Sequence, residues 1–405
     1  MNIWIINHHA LTPKMSGGTR HYDFAIELIS RGYKVTIISA SIHYSTYEEL
    51  KDYRENNYLK ENIDGIEWIW IKTPAYIGNG IKRVKNMLGF MFSVNSTIPK
   101  LNLVKPDIII GSSVHLFAVY SAYRLSTKYK VPFIMEVRDL WPQTLIDMGI
   151  SRWHPFIMLL GYLEKFLYKK ADKVIVLLPK ANQYIEKLGI KKEKIIWISN
   201  GANSSSQNYV NKLDSKKFNI VYAGSVGIAN DLDILVDVAN VLKDNNNIHF
   251  TIIGNGAMKK ELISKTCKIG LKSITFLDPL PKNEVYDYLH SASLLYVGLK
   301  NLPLYKYGMS MNKIFDYMSV AKPILFVSDI DENIVNIAQC GFVVQNKNID
   351  KIADLIEKIS QMPLDELEIL GKNGYDYMNK NFSIKVLCNK LEAVLKEALN
   401  DKKII

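Results

Sequence analysis

The 405-residue sequence has only three cysteines, and Cys267, Cys340 and Cys388 lie far apart. An odd, widely spaced set is typical of neither a disulfide framework nor a zinc site, and it indicates a reducing compartment. No run of about eighteen uncharged apolar residues is present, so no membrane-spanning helix is predicted. Residues 1–7 lack the charged start and small-residue cleavage site of a signal peptide, which favours a cytoplasmic protein.

Acidic residues are the minority among the charged side chains, since 40 Asp and Glu oppose 51 Lys and Arg and leave a net charge of +11. This charge favours phosphorylated ligands, nucleic acid or an anionic membrane surface. Nucleic acid is not expected, because no lysine run, zinc-finger spacing or RNA-binding aromatic motif occurs. The segment from Ile81 to Lys100 combines basic side chains with the apolar run 87–92, which suits an anionic bilayer, although an ordinary packed helix has the same pattern.

Short apolar runs alternate with helical patterns along the whole chain. This alternation predicts an α/β fold with parallel, doubly wound sheets, and 405 residues are too many for one core. We predict two domains that face a central cleft, at 1–200 and 218–382, joined by the polar, turn-rich stretch 200–206. The last clear pattern, Val386 to Leu399, is a long amphipathic helix.

Glycines stand where several predicted strands end. Gly17 and Gly18 follow the first strand and precede a helix, where two glycines let the backbone approach a diphosphate. The third glycine of the dinucleotide pattern G-x-G-x-x-G is missing, so this signal is weak alone. In the second half, strands end at Gly224 and before Gly254 and Gly256. Small residues there permit a nucleotide to approach, although simple turn glycines would look the same.

The most informative stretch runs from Ser310 to Met318, where a polar turn leads into a predicted helix. Ser310, Asn312 and Lys313 place a hydroxyl, an amide and an ammonium where that helix begins. Helix N-termini bind phosphate through unpaired N–H groups and a positive dipole end, and Lys313 adds a positive charge. A surface helix with a capping Ser or Asn is the alternative.

Two further candidate sites follow strands of the first half. His115 stands at the mouth of one strand, where it could bind a sugar hydroxyl, shuttle a proton or simply hold a loop. Glu136 and Arg138 alternate onto one face at the end of another strand. They either face the cleft or form a structural ion pair.

Two Asp-x-Asp spacings, at 231–233 and 329–331, match metal–nucleotide sites in spacing only. The first pair opens a predicted helix, where Asp is an ordinary first-turn residue. We therefore expect no catalytic metal and no other cofactor.

Taken in order, these blocks resemble the family 4 glycosyltransferases, above all the fucosamine-transferase-like subgroup of bacterial O-antigen and capsule gene clusters. The similarity covers nearly the whole chain, and its specific parts are the blocks 136–142 (EVRDLWP) and 312–318 (NKIFDYM). It implies a GT-B fold of two Rossmann-like domains, with the last helix, within 383–405, returning to the first domain. It also implies a nucleotide-diphospho-sugar donor, which we expect to be UDP-linked, and metal-independent transfer with retention of configuration. The implied acceptor is a saccharide on a polyprenyl diphosphate at the inner face of the bacterial cytoplasmic membrane.

The sequence departs from the family at four positions. The family often has two glutamates with seven residues between them; here the shorter acid Asp316 stands at the second position and Gly308 at the first. The family also often has an Arg and a Lys that hold the diphosphate, and here Ser225 and Asn230 fall near those positions. Another cation must then neutralise the leaving group.

The resemblance and these departures lead to specific roles. We expect Lys313 to stabilise the departing diphosphate, with Arg138 or Arg20 as alternatives, and His115 to contact the transferred sugar. The leaving phosphate is expected to deprotonate the acceptor, so no protein base is assigned. The expected donor-binding residues are Gly17, Gly18, Arg138, Gly224, Gly254, Gly256, Ser310, Asn312 and Asp316.

Two other functions stay open at this point. A nucleotide-sugar 2-epimerase has the same two-domain fold and would use cleft carboxylates such as Glu136 or Asp139. A degenerate transferase would instead bind a membrane glycolipid or a sister subunit, and the missing acid and the missing basic pair favour it.

Overall fold

The computed structural model describes residues 1–78, 80–113, 115–204, 208–330, 332–345 and 347–403. Four parts of the sequence patterns lie outside the described residues: Val114 of the block before His115, Asp331 of the second Asp-x-Asp pair, 205–206 of the expected linker, and 404–405 of the range expected for the last helix.

The first half of the chain forms an eight-stranded sheet. Its strands are β1 (Asn2–Ile6), β2 (Lys34–Ala40), β3 (Tyr58–Ile63), β4 (Ile66–Ile71), β5 (Ile108–Ser113), β6 (Phe133–Val137), β7 (Lys173–Val176) and β8 (Ile195–Trp197). Their order is β3-β4-β2-β1-β5-β6-β7-β8, and only β3 runs antiparallel to its neighbour. The inner strands are buried on both faces, which explains why they appear in the sequence as continuous apolar runs.

Helices cover both faces of this sheet. They are α1 (Arg20–Ser30), α2 (Ile81–Thr97), α3 (Leu116–Tyr129), α4 (Gln143–Asp147), α5 (Pro155–Lys170) and α6 (Asn182–Ile185). Successive residues of β1 belong to different hydrophobic cores. Ile3 and Ile5 pack on the side of α1, whereas Trp4 and Ile6 pack on the side of α2 and α3. The two-residue period of a strand thus builds both layers.

The second half forms a six-stranded parallel sheet. Its strands are β9 (Phe218–Ala223), β10 (Ile248–Ile253), β11 (Ile274–Leu277), β12 (Leu294–Gly298), β13 (Ile324–Val327) and β14 (Gly341–Val344), in the order β11-β10-β9-β12-β13-β14. Its helices are α7 (Leu232–Val241), α8 (Lys259–Lys268), α9 (Lys282–Ser291), α10 (Asn312–Ser319), α11 (Ile334–Ile337), α12 (Ile349–Ser360) and α13 (Leu364–Phe382). The predicted pair of doubly wound α/β sheets is confirmed.

The last helix, α14 (Ile384–Lys403), follows α13 directly but contacts the first sheet's helices and edge. Glu392 pairs with Arg31 at 2.7 Å and accepts a hydrogen bond from the hydroxyl of Tyr33 at 2.6 Å. Lys173, at the start of β7, pairs with Glu397. Among the described residues, no helix is both long enough and apolar enough to cross a bilayer.

Candidate active site

A cavity of about 270 Å³ lies between the two sheets. Its walls come from the loops after β1, β2, β9, β10 and β11 and from the faces of α9 and α10. All five loops leave the carboxyl ends of parallel strands, which is where open α/β sheets bind their ligands. The cavity therefore has the position expected for a substrate site shared by two domains.

The cavity brings together many of the residues predicted from separate motifs. Those that line it are Gly17, Gly18, Gly224, Gly254, Asn312, Lys313 and Asp316. The glycine turn of the first domain touches the start of α10, because a Cβ on Gly18 would overlap the side-chain amide of Asn312. The two phosphate-binding patterns of the sequence thus face each other across the cleft. Their roles at a donor stay predictions.

Lys313 projects from the first turn of α10 into the second domain's part of the cavity. Its ammonium donates hydrogen bonds to the hydroxyl of Tyr222 at 2.6 Å and to Oδ1 of Asn230 at 2.7 Å. A Cβ on Gly224 would lie only 3.0 Å from Lys313 Cε, so glycine makes room for this side chain. Burial lowers the pKa of Lys313 to about 7, which leaves a cation that an incoming anion would stabilise.

The place of Asn230 bears on the missing basic pair. In the resembled family a cation often stands near this position, and here Lys313 reaches the Asn230 side chain from another helix. A lysine on α10 therefore puts its charge close to the place that Asn230 leaves neutral. That Lys313 replaces the missing cation at a bound diphosphate stays a prediction.

Lys282 lines the same cavity and was not found from the sequence. It opens α9 and crosses to the first domain, where its ammonium donates to Thr19 Oγ1 at 2.8 Å and lies 3.7 Å from Asp23. On its own side it lies 3.6 Å from Asp316, which also accepts a hydrogen bond from the hydroxyl of Tyr286 at 2.8 Å. Although burial by itself disfavours the ammonium, the neighbouring carboxylates raise the pKa of Lys282. Lys282 is therefore a charged bridge between the domains.

Gly308 explains the missing first acid of the family pair. Its φ of +88° lies in the left-handed region, and a Cβ there would overlap the ring of Pro179 in the first domain. The neighbouring residues also join the two domains, since the N–H of Lys180 donates a hydrogen bond to the carbonyl of Tyr307 at 3.0 Å. No carboxylate side chain fits at this position without moving the domain contact.

Ser310 and Gly256 lie near the cavity but outside its lining. The hydroxyl of Ser310 accepts a hydrogen bond from the N–H of Asn200 at 2.8 Å, and its carbonyl accepts one from the Asn200 side-chain amide. Gly256 packs against the backbone of Val226. Ser310 thus joins the second domain to the start of the interdomain connection, and its predicted contact with a donor stays untested.

His115 is placed by the N-terminus of α3 and lies outside this cavity. It is fully buried, and its Nδ1 accepts a hydrogen bond from the N–H of Ala118 at 3.2 Å while its Nε2 lies 2.6 Å from Nδ1 of His8. Burial, followed by the charges of His9 and Arg83, lowers the pKa of His115 well below its ordinary value. Its predicted contact with the transferred sugar stays a prediction.

Glu136 and Arg20 belong to one buried network of the first domain. Glu136 accepts hydrogen bonds from Arg20 at 3.0 Å, His21 at 2.8 Å and Ser112 at 2.9 Å. Burial alone would raise the pKa of Glu136, but the charges of Arg20 and His21 hold it well below its usual range. Arg20 also donates to the carbonyl of Ser199. Glu136 is thus part of a structural ion pair, but its partner is Arg20 and not Arg138, the residue that the sequence pattern had paired with it.

Arg138 and Asp139 follow β6 at the same edge of the sheet. The N–H of Arg138 donates to Ser113 Oγ at 3.2 Å, and its half-buried side chain does not line the cavity between the domains. Asp139 is exposed. Within the described part of the chain, no three His, Cys, Asp or Glu side chains group as a metal site would require.

Comparisons with known proteins identify the two halves. Residues 16–206 match the family described as Glycosyltransferase Family 4, and residues 205–377 match the one described as Glycosyl transferases group 1. No curated protein matches the sequence significantly.

Solved structures share the fold over almost the whole chain. A sucrose-phosphate synthase from Thermosynechococcus elongatus superposes with a TM-score of 0.74 at 14% identity, covering 99% of each chain. Anabaena HepE, solved with UDP and glucose, superposes with a TM-score of 0.67 at 14% identity, covering 98% of this chain and 100% of that one. WaaG, a glycosyltransferase of lipopolysaccharide biosynthesis, superposes with a TM-score of 0.67 at 13% identity, covering 98% of this chain and 99% of that one. Two family matches that together run from residue 16 to residue 377, on a fold shared with known transferases, establish the chain as a GT-B glycosyltransferase composed of a family 4 domain and a group 1 domain.

Proposed function

We propose that this glycosyltransferase moves a sugar, with retention of configuration, from a UDP-linked donor to a lipid-linked saccharide in surface polysaccharide synthesis. The observation that carries the donor assignment is the cavity where the Gly17–Gly18 turn meets the start of α10 beside Lys313. UDP and glucose bound to Anabaena HepE support a nucleotide-sugar donor for a protein of this fold. The O-antigen or capsule role rests on the fucosamine-transferase-like sequence blocks.

The leaving diphosphate would lie between the glycine turn and the N-terminus of α10. The free N–H groups of that helix, its dipole and the Lys313 ammonium would stabilise the charge that develops as the sugar departs. Asp316, already held by Lys282 and Tyr286, would accept a hydrogen bond from the donor ribose. The departing phosphate would take the proton of the acceptor hydroxyl, and the reaction would need no metal, so activity should survive chelation with EDTA.

The membrane part of the proposal rests on exposed apolar side chains beside basic ones. In α2 the residues Met87 and Phe90 of the apolar run are buried, whereas Ile81 and Phe92 are exposed. A larger exposed set lies on the connection between α4 and α5 and on α5 itself, with Trp153 76% exposed: Met148, Ile150, Trp153, Met158, Leu159 and Tyr162.

These two surfaces belong to one helix layer, because α2 packs on α3 and α3 packs on α5. The sequence contains no acidic residue between 68 and 106 or between 148 and 163. Exposed apolar side chains within purely basic segments fit the headgroup region of an anionic bilayer. A lipid-linked acceptor would then meet the enzyme at the surface that holds it.

Thermal unfolding in a panel of nucleotide sugars tests the donor assignment. A donor present at about 100 times its Kd should stabilise the protein by about 2.7 kcal/mol, and UDP alone should also stabilise it. Product analysis with and without acceptor then separates transfer from epimerisation, since an epimerase releases a new nucleotide sugar without acceptor. A protein that binds no nucleotide contradicts the proposal.

A further inference from the structure

A second polar site lies at the carboxyl edge of the first sheet, beside the cavity already described. The strands β1, β5 and β6 are consecutive neighbours in that sheet, so the residues that follow them meet at one edge. His8 and His9 follow β1, and Arg138 follows β6. Neighbouring strands lie about 4.8 Å apart, which places the ends of β1 and β6 about 10 Å apart, within reach of an arginine side chain.

Three aromatic rings stack at the β1 end of this edge. The ring of His8 lies 4.3 Å from that of His9 and 4.3 Å from that of Phe90, with interplanar angles of 22° and 12°. Phe90 belongs to α2, and Arg83 lies seven residues earlier on the same helix. Residues at this spacing share one helix face, so Arg83 points to the histidine stack.

The segments that follow β1, β2 and β4, three neighbouring parallel strands, carry buried polar atoms with no hydrogen-bond partner among the described residues, and Arg83 is close enough to one of them, Tyr76, to act on its pKa. These atoms are Nε2 of His8, Nδ1 of His9, the hydroxyl of Thr46 and the hydroxyl of Tyr76. His8 and Tyr76 are at most 2% exposed, and His9 is 7% exposed. Buried polar atoms are normally paired, so a group of them in one region indicates a missing polar ligand or ordered water.

The electrostatics of the region favour an anion. Burial, and then the charges of Arg83 and Arg138, lower the pKa of His9 to about 3, so both arginines act on the same neutral ring. Burial raises the pKa of Tyr44, and the positive charge of Arg138 partly offsets this rise. The ring of Tyr44 lies 6.0 Å from that of His9, and Tyr44 also lines the donor cavity. Two acids are close to Arg138 in sequence: Glu136 already accepts hydrogen bonds from Arg20 and His21, and Asp139 is exposed.

We propose that Arg83 and Arg138 bind a phosphate group of the acceptor, with neutral His9 and Tyr76 supplying further hydrogen bonds. The site would lie next to the donor cavity across Tyr44, and it moves Arg138 from the expected donor contacts to the acceptor side. The chemical class of the acceptor is then a phosphate-bearing saccharide, either the diphosphate of a lipid carrier or a free sugar phosphate. This inference rests on the proposed transferase function, because it names the second substrate of the same cleft.

Calorimetry on the full chain saturated with UDP tests the site, since UDP fills the donor diphosphate position. Farnesyl diphosphate represents the lipid carrier, glucose 1-phosphate the free sugar phosphate, and farnesol the same lipid without phosphate. We expect one of the two phosphates to bind and farnesol to bind at least tenfold more weakly. Binding of farnesyl diphosphate alone identifies a lipid carrier, and binding of glucose 1-phosphate alone identifies a free acceptor.

The variants Arg83→Gln and Arg138→Gln should each bind that phosphate compound about ten- to a hundredfold more weakly, as expected for the loss of a charge-assisted hydrogen bond. Lys85→Gln, an exposed neighbour on α2, should bind as the wild type does. A cooperative thermal unfolding transition and a wild-type far-UV circular dichroism spectrum, both without ligand, show that each variant is folded.

The proposal is overturned if neither phosphate binds, if farnesol binds equally well, or if the arginine variants bind as Lys85→Gln does. Loss of UDP binding in folded Arg138→Gln would also overturn it, because Arg138 would then serve the donor. Failure of the wild type to bind UDP is a different result that refutes the donor assignment. Phosphate binding by Arg83 and Arg138 can then still be measured without UDP.

Discussion

Replacing Lys313 by methionine is the most direct test of the proposal that the cleft stabilises a departing diphosphate. Methionine keeps the apolar stem and removes the ammonium that now contacts Tyr222 and Asn230. Two unit charges about 4 Å apart at an effective dielectric constant of about 20 interact by about 4 kcal/mol. Loss of one group that stabilises an anion in a transition state costs about 3–4 kcal/mol. We therefore expect kcat to fall about a hundred- to a thousandfold.

The same substitution should not destabilise the fold. The pKa of Lys313 is about 7 in the folded protein and ordinary in the unfolded chain, so below pH 7 the folded state carries a partly desolvated charge at a cost. This cost is relieved as the pH rises from about 7 towards the unfolded pKa. Lys313→Met should accordingly gain stability relative to the wild type most at pH 6 and least near pH 10.

Single-turnover transfer with saturating donor, together with thermal unfolding, measures both effects. Lys306→Met is the matched control, because Lys306 is exposed on the segment just before α10 and should retain full kcat. A well-folded Lys313→Met enzyme with a kcat within about threefold of the wild type would refute the reasoning. A comparable loss in the control would show that surface charge, and not the Lys313 contact, is responsible.

Four further outcomes are expected. Calorimetry in two buffers of different ionisation heat should show proton uptake when UDP binds at pH 8, because burial sets the pKa of Lys313 at about 7 and the bound anion raises it. Lys313→Arg should show no uptake, because an arginine is already protonated. Lys282→Met should raise the donor KM about tenfold, since it removes the bridge to Thr19, and unchanged KM would show that the bridge is dispensable. Gly308→Glu should lower the free energy of unfolding by about 1–3 kcal/mol in denaturant titration, because its φ is positive and a proline ring occupies the Cβ position. Trp153→Ser should reduce co-sedimentation with phosphatidylglycerol vesicles and leave transfer to a detergent-dispersed acceptor intact, and equal co-sedimentation would exclude this surface.

Much of the fold was predictable, because parallel strands buried on both faces are local apolar runs. The apolar run Ile324–Val327, for example, forms β13 along its whole length. By contrast, β3 was not predicted, since only its antiparallel pairing with β4 marks this polar edge stretch as a strand. A local pattern shows burial, and an edge strand is defined by a partner elsewhere.

The site was predictable to the same extent. Strand-end glycines and the start of α10 are local features, and most of them line one cavity. Lys282 gives no local signal, because its role depends on Thr19, a residue of the other domain. His115 was placed correctly at a strand end, but its ring turns to His8, which lies 107 residues away in the chain. Side-chain direction at such an edge is decided by these long-range contacts.

The chain crosses between the domains twice, and the two crossings touch. Ala202 and Ser383 form a parallel bridge, and the N–H of Ile384 donates to the carbonyl of Ala202 at 3.3 Å. Because the two crossing segments are joined at one point, they act as a single pivot, and we expect the cleft to open by rotation of the domains about it. Contacts close to the pivot, such as Asn200 with Ser310, would travel little. Contacts farther from the pivot would separate more, so the cleft opens to substrates while the pivot keeps the domains aligned.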